Sequence, residues 1–539
     1  MASLRRVLIA NRGEIAIRIA SAAHGLGLES VAVYPTVDQY SLHTRSATTS
    51  VELPLTSSGQ PVDAYLSIDA ILDAAKRTHC DCIHPGYGFL SENPEFAAAC
   101  HRAGLTFIGP SADALALFGD KVRARQQAMG LDIPVVPGSE SALTKADDAV
   151  ALANELGFPV MLKAAAGGGG RGMRAVESAD DLNDAFARCQ SEAQAAFGNG
   201  ALFMEKLVVN PRHIEVQVLA DEHGNAIHLH ERDCSIQLRN QKVVEIAPAP
   251  NLDPALRQSL FTNAIKLVTS ANYANAGTVE FLVVPESGQH YFIECNPRIQ
   301  VEHTITEEVV GVDLVELQFR IAAGESLSDL GLTNQDSVSE PRGFAIQCRL
   351  VATGPGTLTA YKEPSGPGVR VDACGYLGYT PPGQFDPLLA KVIGTSGSEQ
   401  SYRSAIERTA RALGAFHLDG LPTNTRQLTA ILEHRSVGAG DARTTLLTNE
   451  PELGTGNVSE RARAHELLAE QAKALGVGAR SRPTQRGVSA PSLDLASGEV
   501  GVECPMSGSV LEIVATVCAE VAAGDARLNK SAKKIETTV

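Results

Sequence analysis

Short apolar runs alternate with helically spaced segments over the first part of the chain. Residues 6–10 form an apolar run, residues 15–25 repeat apolar positions at helical spacing, and residues 31–34 begin the next apolar run. Strands that alternate with helices predict a parallel sheet joined by crossover connections. The intervening turn lacks the glycine fingerprint of a dinucleotide site, so the start is Rossmann-like without that ligand. A polar loop at residues 84–93 follows another strand, at the end where α/β sites usually lie.

Period-two alternation predicts two acidic strands further along the chain, one over residues 277–284 and one beginning at Tyr291. A loop from Pro285 to Gln289 would place Glu280 opposite Glu294. Two facing carboxylates repel each other, and Mg²⁺ between them would remove the conflict. The alternative is that both lie on a solvated face, but their neighbours are apolar.

Three further polar groups follow the second acidic strand. Arg298, Gln300 and Glu302 supply a cation, an amide and a carboxylate within a few residues. A cation and a base placed together are suited to binding and deprotonating a small anion.

A run of glycines at residues 167–170 lies between two predicted strands, residues 160–163 and 173–176. Consecutive glycines disfavour helix and strand interiors but present backbone N–H groups to phosphate oxygens and move easily. We interpret the run as a mobile hairpin, although a flexible linker is the alternative. Residues 231–245 are dense in charge, and such segments are usually solvated loops.

Composition excludes several classes of partner. The 539 residues are 44% hydrophobic and 20% charged, with a net charge of −16 and a pI near 5.4. This acidity argues against nucleic acid or an anionic membrane surface as a partner. No run approaches the about 18 apolar residues that a membrane span needs. The ten scattered cysteines indicate reduced thiols, so we expect a cytoplasmic protein.

Residues 294–307 resemble the catalytic segment of biotin carboxylases in the ATP-grasp superfamily, and the resemblance runs from about residue 5 to about residue 450. It implies an α/β fold with a Rossmann-like N-terminal subdomain, a central ATP-grasp domain with a mobile lid, and a biotin carboxylase C-terminal subdomain. The expected bounds are 1–118, 119–335 with the lid at about 136–206, and 336–450, then a helix and linker at 451–500 and a partial all-β biotinyl (hammerhead) segment at 501–539.

The resemblance also implies cofactors and residue roles. The cofactors are ATP, Mg²⁺ or Mn²⁺, and biotin. Residues 231–245 match the family segment that supplies ATP and bicarbonate contacts. Lys242 and Arg298 would hold bicarbonate, Glu302 would be the general base, and Arg349 would stabilise the biotin enolate. The remaining expected catalytic residues are Gln300 and Val301, and the expected metal ligands are Glu280, Glu294 and Asn296. The expected nucleotide-site residues are Lys121, Lys163, Gly168, Gly169, Gly170, Met173, Glu205, Lys206, Leu207, His213, Gln237 and Asn240, with adenine held by backbone groups near residues 201–207.

The last residues resemble part of a biotinyl carrier domain. Residues 502–513 are similar to its opening, and Lys534 falls at the position of the biotin acceptor. Lys533 and Ile535 replace the methionines that flank the acceptor in that family, and the chain stops at Val539. We therefore expect a partial domain that is unable to fold alone.

The predicted function is ATP-dependent carboxylation of biotin with bicarbonate, as a component of an acyl-CoA carboxylase. Alternatives are the corresponding part of a pyruvate carboxylase, another ATP-grasp ligase, or a non-catalytic paralogue. Expected partners are biotin or a biotinylated carrier domain, and a carboxyltransferase from another subunit or a further C-terminal domain. Dimers are common in the family, so a homo-oligomer is expected.

Overall fold

The computed structural model describes residues 4–139, 141–165, 173–397 and 401–455, and the backbone of three short strands near the C-terminus. The chain divides into two units. The first contains everything up to residue 456 except residues 381–387, which group with the C-terminal residues. No helix within the described ranges is long and apolar enough to cross a bilayer.

The first sheet is parallel, as predicted. Its five strands have the order β3-β2-β1-β4-β5. Val7, Leu8 and Ile9 of the central strand are completely buried, as expected for a parallel sheet covered on both faces. The elements are β1 (Arg6–Ile9), α1 (Gly13–Gly25), β2 (Glu29–Tyr34), α2 (His43–Ser46), β3 (Thr49–Glu52), α3 (Pro61–Ala64), α4 (Ile68–Arg77), β4 (Cys82–His84), α5 (Pro94–Arg102), β5 (Thr106–Phe107) and α6 (Ala112–Phe118).

A small antiparallel sheet with the order β7-β6-β8 follows. Its first two strands pair as the predicted hairpin, with Val160 opposite Val176 and Lys163 opposite Met173. Apolar residues of α8 and α9 cover one face of this sheet. The elements are α7 (Lys121–Gly130), α8 (Ala146–Leu156), β6 (Val160–Ala164), β7 (Met173–Val176), α9 (Ala179–Phe197) and β8 (Leu202–Lys206).

The largest sheet has eight antiparallel strands in the order β13-β12-β9-β10-β11-β14-β17-β16. It includes strands from both sides of residue 336, where a subdomain boundary was predicted. Its elements begin with β9 (Arg212–Ala220), β10 (Ala226–Leu238), β11 (Gln241–Ala247), α10 (Pro254–Ser270), β12 (Asn275–Val284), β13 (Gln289–Asn296), α11 (His303–Val310) and α12 (Leu314–Ala322). They continue with β14 (Ala345–Val351), β15 (Ala360–Lys362), β16 (Val369–Ala373), β17 (Leu388–Thr395), α13 (Tyr402–Ala415), β18 (His417–Asp419), α14 (Thr425–Glu433), α15 (Arg435–Gly438), α16 (Leu446–Asn449) and α17 (Glu452–Thr455).

The interpretation of residues 231–245 as a loop is wrong. They belong to the hairpin of β10 and β11, which turns at Arg239 and Asn240, both with positive φ (52° and 61°). Two consecutive positive-φ residues match the twist of a two-residue hairpin turn. The charged residues of this hairpin are buried, since Arg232 and Glu245 are 0% exposed. The charge therefore belongs to an internal network.

The C-terminal unit contains a three-stranded antiparallel sheet of β19 (Ser509–Ile513), β20 (Leu528–Ala532) and β21 (Ile535–Thr538). Lys534 lies outside the described residues, as do Gly168, Gly169 and Gly170 of the predicted lid. The eight cysteines within the described ranges are buried and unbridged, in agreement with the predicted reduced thiols.

Candidate active site

The predicted carboxylate pair forms in the hairpin of β12 and β13, with Glu280 opposite Glu294. The loop is one residue shorter than assumed, because Gln289 already pairs with Val284. A bulge leaves Ile293 as the extra residue and restores the predicted pairing. The Glu280 and Glu294 side chains are only 5% and 24% exposed, so the solvated-face alternative is wrong.

Lys242 stands at the centre of the site. Its Nζ donates to Glu215 Oε2 at 2.5 Å, to Glu280 Oε1 at 2.8 Å and to Glu302 Oε1 at 2.7 Å. Burial alone would lower the pKa of Lys242, but these three carboxylates raise it well above its ordinary value. The amine is therefore a permanent cation that holds three strands and the Glu302 segment together.

Glu302 lies at the N-cap position of α11 and is 2% exposed. One carboxylate oxygen accepts from Lys242, and the other accepts from Arg349 Nη2 at 2.9 Å. Burial would raise the pKa of Glu302, but Lys242, Arg349 and Arg232 together hold it below its ordinary value. The carboxylate is thus ionised at neutral pH, as a base must be before it accepts a proton.

Arg349 on β14 is fixed by a second carboxylate that sequence reasoning missed. Its Nε donates to Glu245 Oε1 at 2.5 Å, and Gln347 Nε2 donates to Glu245 Oε2 at 3.0 Å. Burial raises the pKa of Glu245, and Arg349 opposes that rise. The guanidinium therefore bridges a buried structural carboxylate and Glu302, so its position is well defined.

Arg298 connects the second acidic strand to the first sheet. Its Nε donates to Glu92 Oε1 at 2.5 Å, and its Nη2 donates to Asn296 Oδ1 at 3.0 Å. Asn296 Nδ2 in turn donates to Glu280 Oε1 at 2.9 Å. Glu92 belongs to the polar loop after β4, so that loop reaches the site, as its place at a strand end predicted.

Arg232 on β10 is the central residue that sequence reasoning missed. It is completely buried, and its three nitrogens donate five hydrogen bonds. The acceptors are Glu215 Oε1 at 2.5 Å, Gln217 Oε1 at 2.7 Å, Thr306 Oγ1 at 2.9 Å, and Thr278 Oγ1 and Gln300 Oε1, both at 3.2 Å. A guanidinium has five N–H groups, so this one is fully satisfied. It ties β9, β12, Gln300 and α11 to one point.

Gln300 and Val301, the two residues directly before Glu302, are fixed by hydrogen bonds to other strands. Gln300 Nε2 donates to Glu280 Oε1 at 2.9 Å. The Val301 carbonyl accepts from Lys391 Nζ at 3.2 Å, and the same amine lies 2.9 Å from Glu14 Oε2. Lys391 is completely buried. The backbone next to Glu302 is thus supported by a charge from another strand.

A narrow cleft brings together the predicted nucleotide lysines. Its lining residues are Lys121, Arg125, Lys163, Phe203, Glu205, Phe292 and Ile293. Lys121 Nζ donates to Glu294 Oε2 at 2.6 Å, and Lys163 forms an ion pair with Glu205. Lys121 lowers the pKa of Glu294. Sequence reasoning placed both lysines and Glu205 here and missed Arg125 and Phe203.

The proposed adenine-binding strand is partly engaged within the fold. The N–H groups of Lys206 and Leu207 donate to the carbonyls of Pro137 and Pro159, at 2.8 and 3.1 Å. The Lys206 amine donates to the carbonyls of Gly157 and Phe158. Neither backbone N–H group is therefore available to an adenine ring.

The remaining predicted nucleotide residues occupy three places. His213 and Gln237 lie inside the site: His213 Nε2 is 2.7 Å from Glu280 Oε2, and Gln237 Nε2 is 2.7 Å from His213 Nδ1. Asn240 is exposed at the tip of the β10–β11 turn. Met173 begins β7 and pairs with Lys163 at the cleft.

Three groups of side chains within the described residues could hold a cation. The predicted set of Glu280, Glu294 and Asn296 offers oxygen ligands, which suit Mg²⁺. Oε2 of Glu294 accepts from Lys121, while Oε1 takes no hydrogen bond within the described ranges. His213, Glu215 and Glu280 form a second group and Glu215, Cys234 and Glu302 form a third, each with its ligand atoms within 4.8 Å of one another. Lys242 binds every carboxylate of these two groups, whereas in the predicted set it binds Glu280 but not Glu294. The donor chemistry therefore favours the predicted set.

Comparison with known protein families gives three consecutive matches. The biotin carboxylase N-terminal domain matches residues 3–115, the ATP-binding domain of the carbamoyl-phosphate synthase L chain matches residues 120–330, and the biotin carboxylase C-terminal domain matches residues 349–449. Together they cover most of the first unit and end at residue 449.

Curated relatives of high similarity are pyruvate carboxylases. That of Schizosaccharomyces pombe is 46% identical over 473 residues, which are 86% of this chain and 39% of the relative. The human mitochondrial pyruvate carboxylase is 46% identical over 460 residues, which are 84% of this chain and 38% of the relative. The chain thus spans well under half of these relatives.

Solved structures of similar fold are biotin carboxylases. The biotin carboxylase domain dimer of the Hydrogenobacter thermophilus 2-oxoglutarate carboxylase, with MgADP, ADP and bicarbonate, is 39% identical with a TM-score of 0.81, covering 85% of this chain and 100% of that one. The biotin carboxylase of Campylobacter jejuni is 40% identical with a TM-score of 0.79, covering 83% of this chain and 99% of that one.

Proposed function

The chain belongs to the biotin carboxylase family, and from this premise we propose that it carboxylates biotin with bicarbonate at the expense of ATP. The observation that carries the proposal is the environment of Glu302. A buried, ionised carboxylate lies between Lys242 and Arg349, with Arg298 and Gln300 a few residues before it. A base among several cations suits a reaction in which a small anion is bound and deprotonated.

In this proposal Lys242 and Arg298 bind bicarbonate, and Glu302 accepts its proton. Attack of a bicarbonate oxygen on the terminal phosphate of ATP gives carboxyphosphate and releases ADP. Carboxyphosphate then yields CO₂ and phosphate, the phosphate takes the N1′ proton of biotin, and N1′ attacks CO₂. Arg349 lies 2.9 Å from Glu302 and would stabilise the negative charge that develops on the biotin ureido oxygen. Lys242 and Arg349 keep Glu302 ionised but also lower its affinity for a proton. Bicarbonate must therefore take over part of the hydrogen bonding of the site cations before Glu302 becomes basic enough to accept its proton.

The nucleotide would occupy the cleft lined by Lys121, Lys163 and Glu205. The lysines act by positioning and neutralising phosphate oxygens, which is the main protein contribution to phosphoryl transfer. Glu280, Glu294 and Asn296 would hold Mg²⁺ or Mn²⁺, which supplies further neutralisation of phosphate charge. Gly168, Gly169 and Gly170 stay a predicted lid over this cleft, and Lys534 stays a predicted biotin acceptor.

For the final carboxyl acceptor, we propose pyruvate or a closely related 2-oxo acid. The support is that the relatives are named pyruvate carboxylases, while one similar structure is named as a 2-oxoglutarate carboxylase. The comparisons favour this alternative over the acyl-CoA acceptor expected from the sequence. A carboxyltransferase, a biotinylated carrier and a second copy of the chain are the proposed partners. A cytoplasmic location stays a prediction, since the human relative is named as mitochondrial.

The test is ATP hydrolysis by the purified chain with Mg²⁺ and bicarbonate, with and without free biotin. We expect biotin to stimulate turnover and Glu302→Gln to abolish the stimulation. Glu308→Gln is the matched control, because Glu308 lies on the helix that Glu302 caps and, among the described residues, its side chain bonds only to Arg370. Turnover indifferent to biotin would indicate another ATP-grasp ligase, and no turnover would indicate a non-catalytic paralogue.

A further inference from the structure

Arg125 lies one helical turn after Lys121, on the same side of α7. The helix begins with Asp120 as its N-cap, whose carboxylate accepts from the N–H groups of Val122 and Arg123. The cap fixes the first turn, so the two cations are directed into the same cleft. Arg125 is 8% exposed, and its guanidinium carbon lies 5.3 Å from the centre of the Phe203 ring.

Arg125 differs from the other cations of the site because it has no anionic partner. Its Nε is buried without a hydrogen-bond partner, and no carboxylate of the described ranges forms an ion pair with it. The charge of Glu205 acts on Arg125 without forming an ion pair with it, and Lys163 binds that carboxylate. Burial accordingly lowers the pKa of Arg125. An arginine still remains protonated at neutral pH, so the buried charge is uncompensated.

The alternative is that Arg125 only packs its stem against Phe203. A cation–π contact with a single ring is weaker than the cost of taking a guanidinium out of water, so packing alone does not account for the buried charge. The other two cations of the cleft are neutralised, Lys121 by Glu294 and Lys163 by Glu205. Among the described lining residues, Arg125 therefore carries the only positive charge that is not already matched.

We propose that Arg125 is a third cationic ligand of the nucleotide and binds an oxygen of its phosphate chain. The inference rests on the proposed function, which places ATP in this cleft. Arg125 would act by direct contact with the phosphates, with Phe203 beneath it to set the plane of the guanidinium. Its ligand is the anionic part of the nucleotide rather than the base, since only an anion compensates the buried charge.

The experiment measures binding of ATP, ADP and adenosine by the full chain with Arg125→Met, Arg125→Lys and Arg123→Met. Arg123 is the matched control, because it is exposed on the same helix and, among the described residues, its side chain bonds only to the Ala116 carbonyl. We expect Arg125→Met to raise the Kd for ATP and ADP by about 10- to 100-fold, as for loss of a charge-assisted hydrogen bond. Adenosine binding should not change, and Arg125→Lys should recover most of the affinity.

A second readout separates ligand binding from packing. Removing an uncompensated buried charge should leave the melting temperature of the ligand-free chain unchanged or raise it, while the rise in melting temperature on adding ATP shrinks. Loss of ligand-free stability, an equal loss of adenosine binding, or unchanged ATP binding would each overturn the inference. If Arg125→Met fails to fold, packing is the explanation and the inference is wrong. A wild-type chain that does not bind ATP would overturn the proposed function as well.

Discussion

Replacing Arg232 by methionine should destabilise the folded chain by about 3–5 kcal/mol, the range found when one partner of a buried charged network is removed. Methionine fills much of the same space without a charge or a donor. The guanidinium is completely buried and uses all five of its N–H groups. The loss of stability therefore comes from the buried acceptors that no longer receive a hydrogen bond, rather than from a cavity.

The magnitude follows from those acceptors. Each orphaned buried acceptor costs about 1–3 kcal/mol, so five of them would give on the order of 5–15 kcal/mol. The true cost is lower for two reasons. The hydroxyls of Thr278 and Thr306 can rotate toward other partners, and Glu215 keeps its 2.5 Å contact with Lys242. About 3–5 kcal/mol remains as the expected loss.

Urea denaturation and thermal melting of the full chain provide the measurement. Arg403→Met is the control, because Arg403 and Glu407 form an exposed pair one turn apart on α13. Such a pair contributes about 0.3–0.5 kcal/mol. Adding Glu215→Gln to Arg232→Met should recover part of the stability, since it removes the buried negative charge that Arg232 and Lys242 together neutralise in the unmodified chain. If Arg232→Met costs no more than Arg403→Met, the network is not what holds these strands together.

Three further predictions concern neighbouring charges. Lys242→Met should raise the pKa of Glu302. The pH must lie above that pKa for the carboxylate to accept a proton, so the acid limb of biotin-dependent ATP turnover should move to higher pH. A pH–rate profile with an unmoved limb would contradict this. Glu294→Gln should raise the Mn²⁺ concentration needed for nucleotide binding by about tenfold or more, as measured by titration, because one of two facing carboxylates is lost. Lys391→Met should lower kcat by about tenfold or more with little change in KM for ATP, because the backbone before Glu302 loses its support. It should also cost about 3–5 kcal/mol, because Glu14 is left buried without its cation, and equal changes in kcat and KM would indicate a general loss of structure instead.

The hairpin that carries Glu280 and Glu294 shows how far sequence reasoning reaches. The pairing of the two carboxylates was predicted correctly from strand alternation and an assumed loop length. The loop is shorter than assumed, and the bulge at Ile293 compensates for the difference. A bulge depends on the neighbouring strands and on the site it serves, so local alternation does not reveal it. The pairing was predicted correctly because the loop is one residue shorter than assumed and the bulge adds one residue to the strand, so the two differences cancel.

Strand β9 explains why the rest of the network was missed. Its polar residues His213, Glu215 and Gln217 alternate with Ile214 and Val216, a pattern that normally predicts one buried and one solvated face. In the structure all nine residues of this strand are buried. The apolar face packs into a hydrophobic core, and the polar face meets Arg232 and Lys242, which come from the following hairpin.

Alternation therefore identifies which residues share a face, but not whether that face meets water. The cost of burying Glu215 is offset only by cations that lie 17 and 27 residues further along the chain. Those cations occur in a charge-rich segment that was predicted to be a loop, so the strand pairing that brings them to Glu215 was not predicted. From sequence alone, the polar face of β9 and the charge-rich β10–β11 hairpin could each face solvent, or they could face each other in one buried site. The equal numbers of complementary groups, such as the five acceptors around Arg232, are what distinguish the buried site, and they become visible only when the strands are paired.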